Sequence, residues 1–288
     1  MGACVGENVN TIADEGEKIK IIKLNKAYIF DSILKYSDMS MTFKQSTKIP
    51  LLINEAKKRL KAGNDPLHDE GHAERVATYA IRIAAQMGIQ DTRYMDALIM
   101  SAWWHDVSRT ITKKPSFVLM PFIDDTLSAV MLAITIVKRR AWNRSSLLAL
   151  RLVLSKSIAT GRIFSRFFLS KKMRTLLDIL HDADTVDTLA PERTHVIHAL
   201  VGSSKNYERA YQLMTWWFAS TTFLHVKTQA AKEYLLDVLK DFVLWLKEEH
   251  IHLWHIERYG SEWVERMMYR LRQIMHDLEH QILKPSQI

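Results

Sequence analysis

The sequence has few of the residues that interrupt helices, and it has only one cysteine. Nine glycines and six prolines in 288 residues favour long helices over many short strands. The single cysteine, Cys4, excludes an intrachain disulfide and favours a reducing compartment, so we expect a cytoplasmic protein. The longest apolar run, Leu127–Val137, is shorter than the about 20 residues that span a bilayer. These shortages predict an all-α protein.

Acidic residues are absent between Asp125 and Asp178, although the whole chain carries a net charge of only +8. The basic residues of this interval are Lys138, Arg139, Arg140, Arg144, Arg151, Lys156, Arg162, Arg166, Lys171, Lys172 and Arg174. One interpretation is a solvated helix face beside a core face. The other is a surface that attracts an anionic substrate, a nucleic acid or a membrane.

The apolar spacing predicts helices along most of the chain after a polar, flexible tail over 1–18. One helix begins near Asp65 and Pro66 and stops at Gly88, and Asp91 caps the next. The others are predicted over Lys23–Tyr36, Leu51–Lys61, Asp125–Arg140, Ser145–Ser157, Lys171–Leu189, Tyr207–Leu224, Thr228–Glu249 and Glu262–Leu283. We read residues 19–288 as a single all-helical domain.

Several polar residues fall where these helices should be buried. His72 begins an apolar stripe, His105 and Asp106 end the most apolar helix, and Asp184 and Asp187 follow the spacing of two leucines. Buried carboxylates are costly unless they are paired or bound to a metal. A mixed nitrogen and oxygen set suits Mn, Fe, Co, Ni or Zn. A satisfied core histidine at His72 and an ion pair between Asp184 and Arg75 are the alternatives.

The series HDEGHAERV, SAWWHDVSR and ILHDADTVDTL resembles the HD-domain metal-dependent phosphohydrolase superfamily. That family places a His, an adjacent His-Asp and a distant Asp on helices of an all-α fold. The resemblance covers about 65–190, and TQAAKEYLLDVL is similar to a late helix of some nucleotide-hydrolysing members. It implies an HD-domain-like helical bundle with extra C-terminal helices over about 205–285.

The resemblance implies one divalent metal ion held by His72, His105, Asp106 and Asp184. The implied activity is hydrolysis of a nucleotide or another small phosphate ester by a metal-activated water. The chain lacks the Glu-Asp pair and the GYP motif of two family branches. It also has no histidine between His105 and His181, where Lys156 and Ser157 lie instead. We therefore expect a mononuclear centre.

The remaining predicted site residues lie next to these ligands in the sequence. Asp106 is expected to act in catalysis as well as in metal binding. Arg109 and Lys113 are candidates for phosphate contact, or for cations at a helix C-terminus. His68 and Asp69 either touch the water or substrate, or cap a helix. Asp187 either orients a ligand or forms a simple ion pair.

A second hypothesis treats the chain as a catalytically weak HD module. Its basic segment, 138–174, would bind nucleic acid, an acidic partner or a membrane surface. The aromatic residues between the cations can stack on bases or belong to the core: Trp142, Phe164, Phe167 and Phe168. The sequence leaves the oligomeric state and the substrate open.

Overall fold

The computed structural model describes residues 48–111, 120–156, 165, 169–203, 205, 207–209, 211–212 and 225–283, with the backbone alone at 120–123. All of them belong to one compact unit, 48–288. These residues form helices and contain no strand, which confirms the all-α class. Within the same ranges, no helix combines the length and the apolar character needed to cross a bilayer.

Ten α-helices and one 3₁₀ helix are present in the described ranges. They are α1 Lys48–Ala62, α2 Glu70–Gln86, α3 Thr92–Trp104, the 3₁₀ helix Val107–Ile111, α4 Met120–Lys138, α5 Arg144–Lys156, α6 Lys171–Asp187, α7 Pro191–Val201, α8 Gln229–Leu246, α9 Glu249–Tyr259 and α10 Ser261–Leu283. The helices predicted over 23–36 and most of 207–224 lie outside the described residues, as does the predicted tail.

Helix α3 occupies the centre of the bundle, as its uniform apolar sequence predicts. It packs against α1, α2, α5 and α6. Trp104, the last residue of α3, is fully buried, and its indole N–H donates to the Leu52 carbonyl at 3.1 Å. The C-terminal end of α3 is therefore fixed from several sides, which positions the residues that follow it.

The start of α2 differs from the prediction. The helix begins at Glu70, and the N-cap is Asp69, whose carboxylate accepts from the His72 N–H at 2.9 Å. Asp65 instead accepts from the Leu67 N–H and from the imidazole of His68. Asp69 therefore caps α2, whereas Asp65 contacts the imidazole of His68 in the turn before the helix.

Two further helices were absent from the prediction. Pro191 is the first residue of α7, a position where proline is favoured, and does not end a helical region. The helix predicted over Thr228–Glu249 ends at Leu246, and α9 then begins at Glu249. Only Ile251 and His255 of α9 are buried, so its sequence has no continuous apolar stripe to signal it.

Candidate metal centre

The four predicted ligands come from three places in the bundle and lie together in the structure. His72 is in the first turn of α2, and Asp184 is near the end of α6. His105 and Asp106 directly follow α3. Helix α2 packs against both α3 and α6. That packing brings residues distant in sequence to one point.

The ligand atoms of this cluster face one another at short distances. The Nε2 atoms of His72 and His105 are 3.3 Å apart. Asp184 Oδ1 lies 3.6 Å from the first and 3.8 Å from the second. Asp106 Oδ2 lies 3.3 Å from His72 Nε2 and 3.2 Å from His105 Nε2. Atoms of His72, His105 and Asp184 form a group that can hold a metal ion.

The other nitrogen of each imidazole fixes its tautomer. His72 Nδ1 donates to Asp187 Oδ2 at 2.7 Å. His105 Nδ1 donates to the carbonyl of Ala102 at 2.8 Å. In the neutral imidazole, the Nε2 atom is then the unprotonated acceptor. Both lone pairs therefore point into the space between the two rings.

This arrangement gathers two imidazole nitrogens and two carboxylate oxygens around one point. The two Nε2 atoms are 3.3 Å apart, and the oxygens of Asp106 and Asp184 each lie 3.2 to 3.8 Å from these nitrogens. Four ligands at about 2.1 Å from a central ion are about 3.4 Å apart in a tetrahedron. The types and spacing of the ligand atoms of His72, His105 and Asp184 are thus suited to a divalent cation.

The centre is largely screened from solvent. His72 and His105 are buried, and the side chain of Asp106 is 11% exposed, whereas that of Asp184 is 28% exposed. Access from solvent is therefore greatest at Asp184.

The titration of the two carboxyl groups reflects their positive surroundings. Burial raises the pKa of Asp106, but the opposing effects of His105 and Arg109 hold it well below its usual value. Burial likewise raises the pKa of Asp184, and Lys156 with the two imidazoles brings it below its usual value. Both groups are carboxylates at neutral pH, as metal binding requires.

Asp187 holds His72 and also forms an ion pair, so both proposed roles are present. Its carboxylate is completely buried. Arg75 Nε donates to Asp187 Oδ1 at 2.6 Å, and Arg193 Nη1 lies 3.6 Å from Oδ2. The alternative pairing of Arg75 with Asp184 is wrong, because Arg75 contacts Asp187 and Lys156 contacts Asp184.

Lys156 and Asp125 lie near the centre but were not predicted as site residues. Lys156 ends α5, and its Nζ lies 2.8 Å from Asp184 Oδ2 and 3.8 Å from Asp125 Oδ1. Burial lowers the pKa of Lys156, but the carboxylates of Asp184 and Asp125 raise it above its usual value. The basic run and the acidic residue at its edge were visible in the sequence, but their pairing was not.

His68 and Arg109 lie beside Asp106, as their sequence positions suggested. His68 Nδ1 donates to Asp65 at 2.9 Å, and its Nε2 accepts from Arg193 Nη2 at 3.1 Å and lies 3.9 Å from Asp106 Oδ2. Burial and Arg109 lower the pKa of His68 to about 4. Arg109 Nε is 2.9 Å from Asp124 and 3.7 Å from Asp106.

The remaining predicted catalytic residues are Asp69 and Lys113. Asp69 caps α2 through the backbone of His72, which supports one of its two alternative roles. Lys113 lies outside the described residues.

The ion-pair network around the centre carries more negative than positive groups. Its members are six carboxylates and four cationic side chains: Asp65, Asp106, Asp124, Asp125, Asp184, Asp187, Arg75, Arg109, Lys156 and Arg193. Counted formally and without the histidines, this set has two more carboxylates than cations, so a bound cation would be favourably placed.

Comparison of the chain with protein-family models, curated proteins and solved structures gave no match.

Proposed function

We propose that this protein is an HD-type, metal-dependent phosphohydrolase that acts on a nucleotide or another small phosphate ester. The observation that carries the proposal is the close approach of the His72 and His105 Nε2 atoms, with oxygens of Asp106 and Asp184 within 3.8 Å of both. These residues occupy the positions of the HD motif in the sequence. The short distances between these side chains support the resemblance to the HD-domain superfamily.

Under this proposal, His72, His105, Asp106 and Asp184 hold one divalent ion. When bound, such an ion lowers the pKa of a coordinated water and offsets charge on a phosphoryl group. Asp187 fixes the ring of His72, and the Ala102 carbonyl fixes the ring of His105. These contacts hold the ligand atoms in place before the ion arrives.

The cations near the centre supply charge that phosphoryl transfer needs. Arg109 is 3.7 Å from Asp106, and Lys156 is 2.8 Å from Asp184. Positioning and positive charge contribute most of the catalysis in phosphoryl transfer. We assign Arg109 and Lys156 to this role, with His68 as a neutral group beside Asp106 that contacts Asp65 and Arg193.

The test is hydrolysis by the purified protein with added Mn²⁺ over a panel of nucleotides and simple phosphate esters. We expect turnover of at least one substrate and its loss with chelator. Asp106→Asn should lower activity by at least about a hundredfold. The matched control is Asp178→Asn, which changes an aspartate of α6 that pairs with Lys227 away from the cluster. Metal binding without turnover on any phosphate ester counts against the enzyme.

A second candidate function is binding to an anionic membrane surface through the hairpin of α4 and α5. Val130, Ile134 and Val137 follow helical spacing on α4 and are exposed, and Trp142 in the connection is 58% exposed. The exposed cations of the hairpin are Lys138, Arg139, Arg140, Arg144 and Arg151. Apolar side chains flanked by cations, with no acidic residue from 126 to 177, match the chemistry of an anionic lipid surface.

Cosedimentation with vesicles tests this candidate. The protein should bind vesicles that contain phosphatidylserine and not those of phosphatidylcholine alone. Ile134→Glu should weaken binding by about fivefold or more. Leu244→Glu, at a 60% exposed leucine of α8, is the control and should bind like the wild type. Equal binding to both vesicle types would reject the requirement for anionic lipid, and no binding to either would reject the membrane. Salt-dependent retention on single-stranded nucleic acid would then favour that partner.

A further inference from the structure

Lys156 places a buried ammonium group directly beside the candidate metal centre. Its side chain is only 10% exposed, and its Nζ contacts Asp184 Oδ2 at 2.8 Å. Asp125 Oδ1 is the next carboxylate oxygen, at 3.8 Å. Lysine is rarely buried without charged partners, and here the partners include a candidate metal ligand.

The carboxylate of Asp184 is shared between two positions of positive charge. Its Oδ1 faces the Nε2 atoms of His72 and His105, and its Oδ2 faces Lys156. A carboxylate that joins two cations in this way is typical of centres with two metal ions, which lie about 3.5–4 Å apart. In this chain, one of the two cations is a side chain.

Asp125 provides a second, independent observation at the same place. The residue is 7% exposed, and among the described residues its Oδ1 has no hydrogen-bond partner. Buried carboxylate oxygens normally have a partner, because an unsatisfied one is costly. Asp125 Oδ1 and Asp184 Oδ2 are therefore two oxygen ligands whose common neighbour is Lys156.

We propose that Lys156 occupies the position of a second divalent ion, so that the centre holds one metal ion and one fixed ammonium group. This inference rests on the proposed metal site. It assigns Asp125 and Asp184 as latent oxygen ligands that a second ion takes when the ammonium is removed. The positive charge of Lys156 is then present whether or not a metal ion is bound.

The experiment measures how many Mn²⁺ ions the full chain binds after treatment with chelator. Calorimetric titration and elemental analysis should give one ion per chain for the wild type. Lys156→Ala should bind two, because it leaves both space and the two carboxylate oxygens. Lys156→Arg keeps the charge and should bind one. Lys227→Ala, which removes a lysine paired with Asp178 on the surface, should also bind one.

The electron paramagnetic resonance spectrum of bound Mn²⁺ gives a second measurement. The wild type should show the spectrum of an isolated ion, and Lys156→Ala that of a coupled pair. Lys156→Gln, of similar length, replaces the alanine variant if that variant does not fold, and should also bind two ions.

The outcomes separate this inference from the proposed function. Two ions in the wild type, or a coupled spectrum there, overturn the role of Lys156 and leave the metal site standing. One ion in both Lys156→Ala and Lys156→Gln overturns it as well. A wild type that binds no ion contradicts the metal site itself and, with it, this inference.

Discussion

At the scale of single residues, the imidazole of His72 depends on one buried carboxylate. Asp187 Oδ2 accepts from His72 Nδ1 at 2.7 Å, and the guanidinium groups of Arg75 and Arg193 contact the same carboxylate. This contact selects the tautomer in which Nε2 faces His105. A metal ligand needs this orientation as much as it needs the nitrogen itself.

We expect Asp187→Asn to lower the affinity for Mn²⁺ by about 10- to 100-fold, because the amide holds the ring of His72 less firmly. Titration of chelator-treated protein with Mn²⁺ measures this, with Asp178→Asn as the control. Thermal unfolding shows whether the variant is folded. Unchanged affinity in a folded Asp187→Asn protein would mean that Asp187 only pairs with the arginines.

A second buried imidazole, His255, lies away from the centre in α9. Its Nδ1 donates to the Ile251 carbonyl, and its Nε2 accepts from the Tyr211 hydroxyl, both at 2.7 Å. Burial lowers the pKa of His255 from 6.5 to about 4. The folded protein therefore binds fewer protons here than the unfolded chain between these values, so stability is lost as the pH falls below 6.5.

We expect this histidine to contribute about 2 kcal/mol to the fall in unfolding free energy between about pH 8 and about pH 5. Urea unfolding of His255→Asn at both pH values should show that much less pH dependence than the wild type. His250→Asn, at an exposed side chain, controls for the loss of an imidazole. Equal pH dependence in the wild type and His255→Asn would show that His255 is not buried as a neutral ring.

At the scale of helices, α6 supplies Asp184 to the candidate metal centre and also anchors the start of α8. Asp182 accepts from the backbone N–H groups of Lys227 and Thr228 and from the Thr228 hydroxyl. Thr228 is the N-cap of α8. One turn of α6 thus joins the C-terminal helices to the helix that carries Asp184.

We expect Asp182→Ala to lower the free energy of unfolding by about 3 kcal/mol, because it leaves buried backbone N–H groups without an acceptor. Asp178→Ala removes a partly exposed ion pair of the same helix and should cost less than about 1 kcal/mol. Denaturant unfolding of the two variants gives the comparison. Similar losses in both would argue against Asp182 as the anchor of α8.

The sequence predicted the helices with strong apolar spacing and the residues inside short motifs. Helix α3 and the Asp91 cap are confirmed, because both depend on neighbouring residues. Helix α7 was missed because Pro191 can end a helix or begin one. Lys156 and Asp125 were missed as a pair, since their contact arises only when α4 and α5 pack together. Local patterns could not reveal that contact.

At the scale of the whole molecule, the charge of the centre links metal binding to stability. The network around it has a formal excess of two negative charges in a largely buried position. A divalent ion that binds only the folded chain stabilises the fold by mass action.

We expect Mn²⁺ at about 100 times its dissociation constant to raise the free energy of unfolding by about 2.7 kcal/mol. Thermal unfolding with added Mn²⁺ and with chelator measures the difference. Asp184→Asn should abolish most of the stabilisation, whereas Asp178→Asn should retain it. A rise in melting temperature that is the same in Asp184→Asn would place the ion elsewhere.

The most direct test of the central claim is anomalous diffraction from crystals grown with Mn²⁺. We expect one strong anomalous peak per chain, about 2.0–2.3 Å from the Nε2 atoms of His72 and His105 and from Asp184 Oδ1. Asp106 Oδ2 should be the fourth protein ligand, and no second peak should lie at Lys156. Crystals with Mn²⁺ bound only elsewhere, or with no peak between the two imidazoles, would contradict the account.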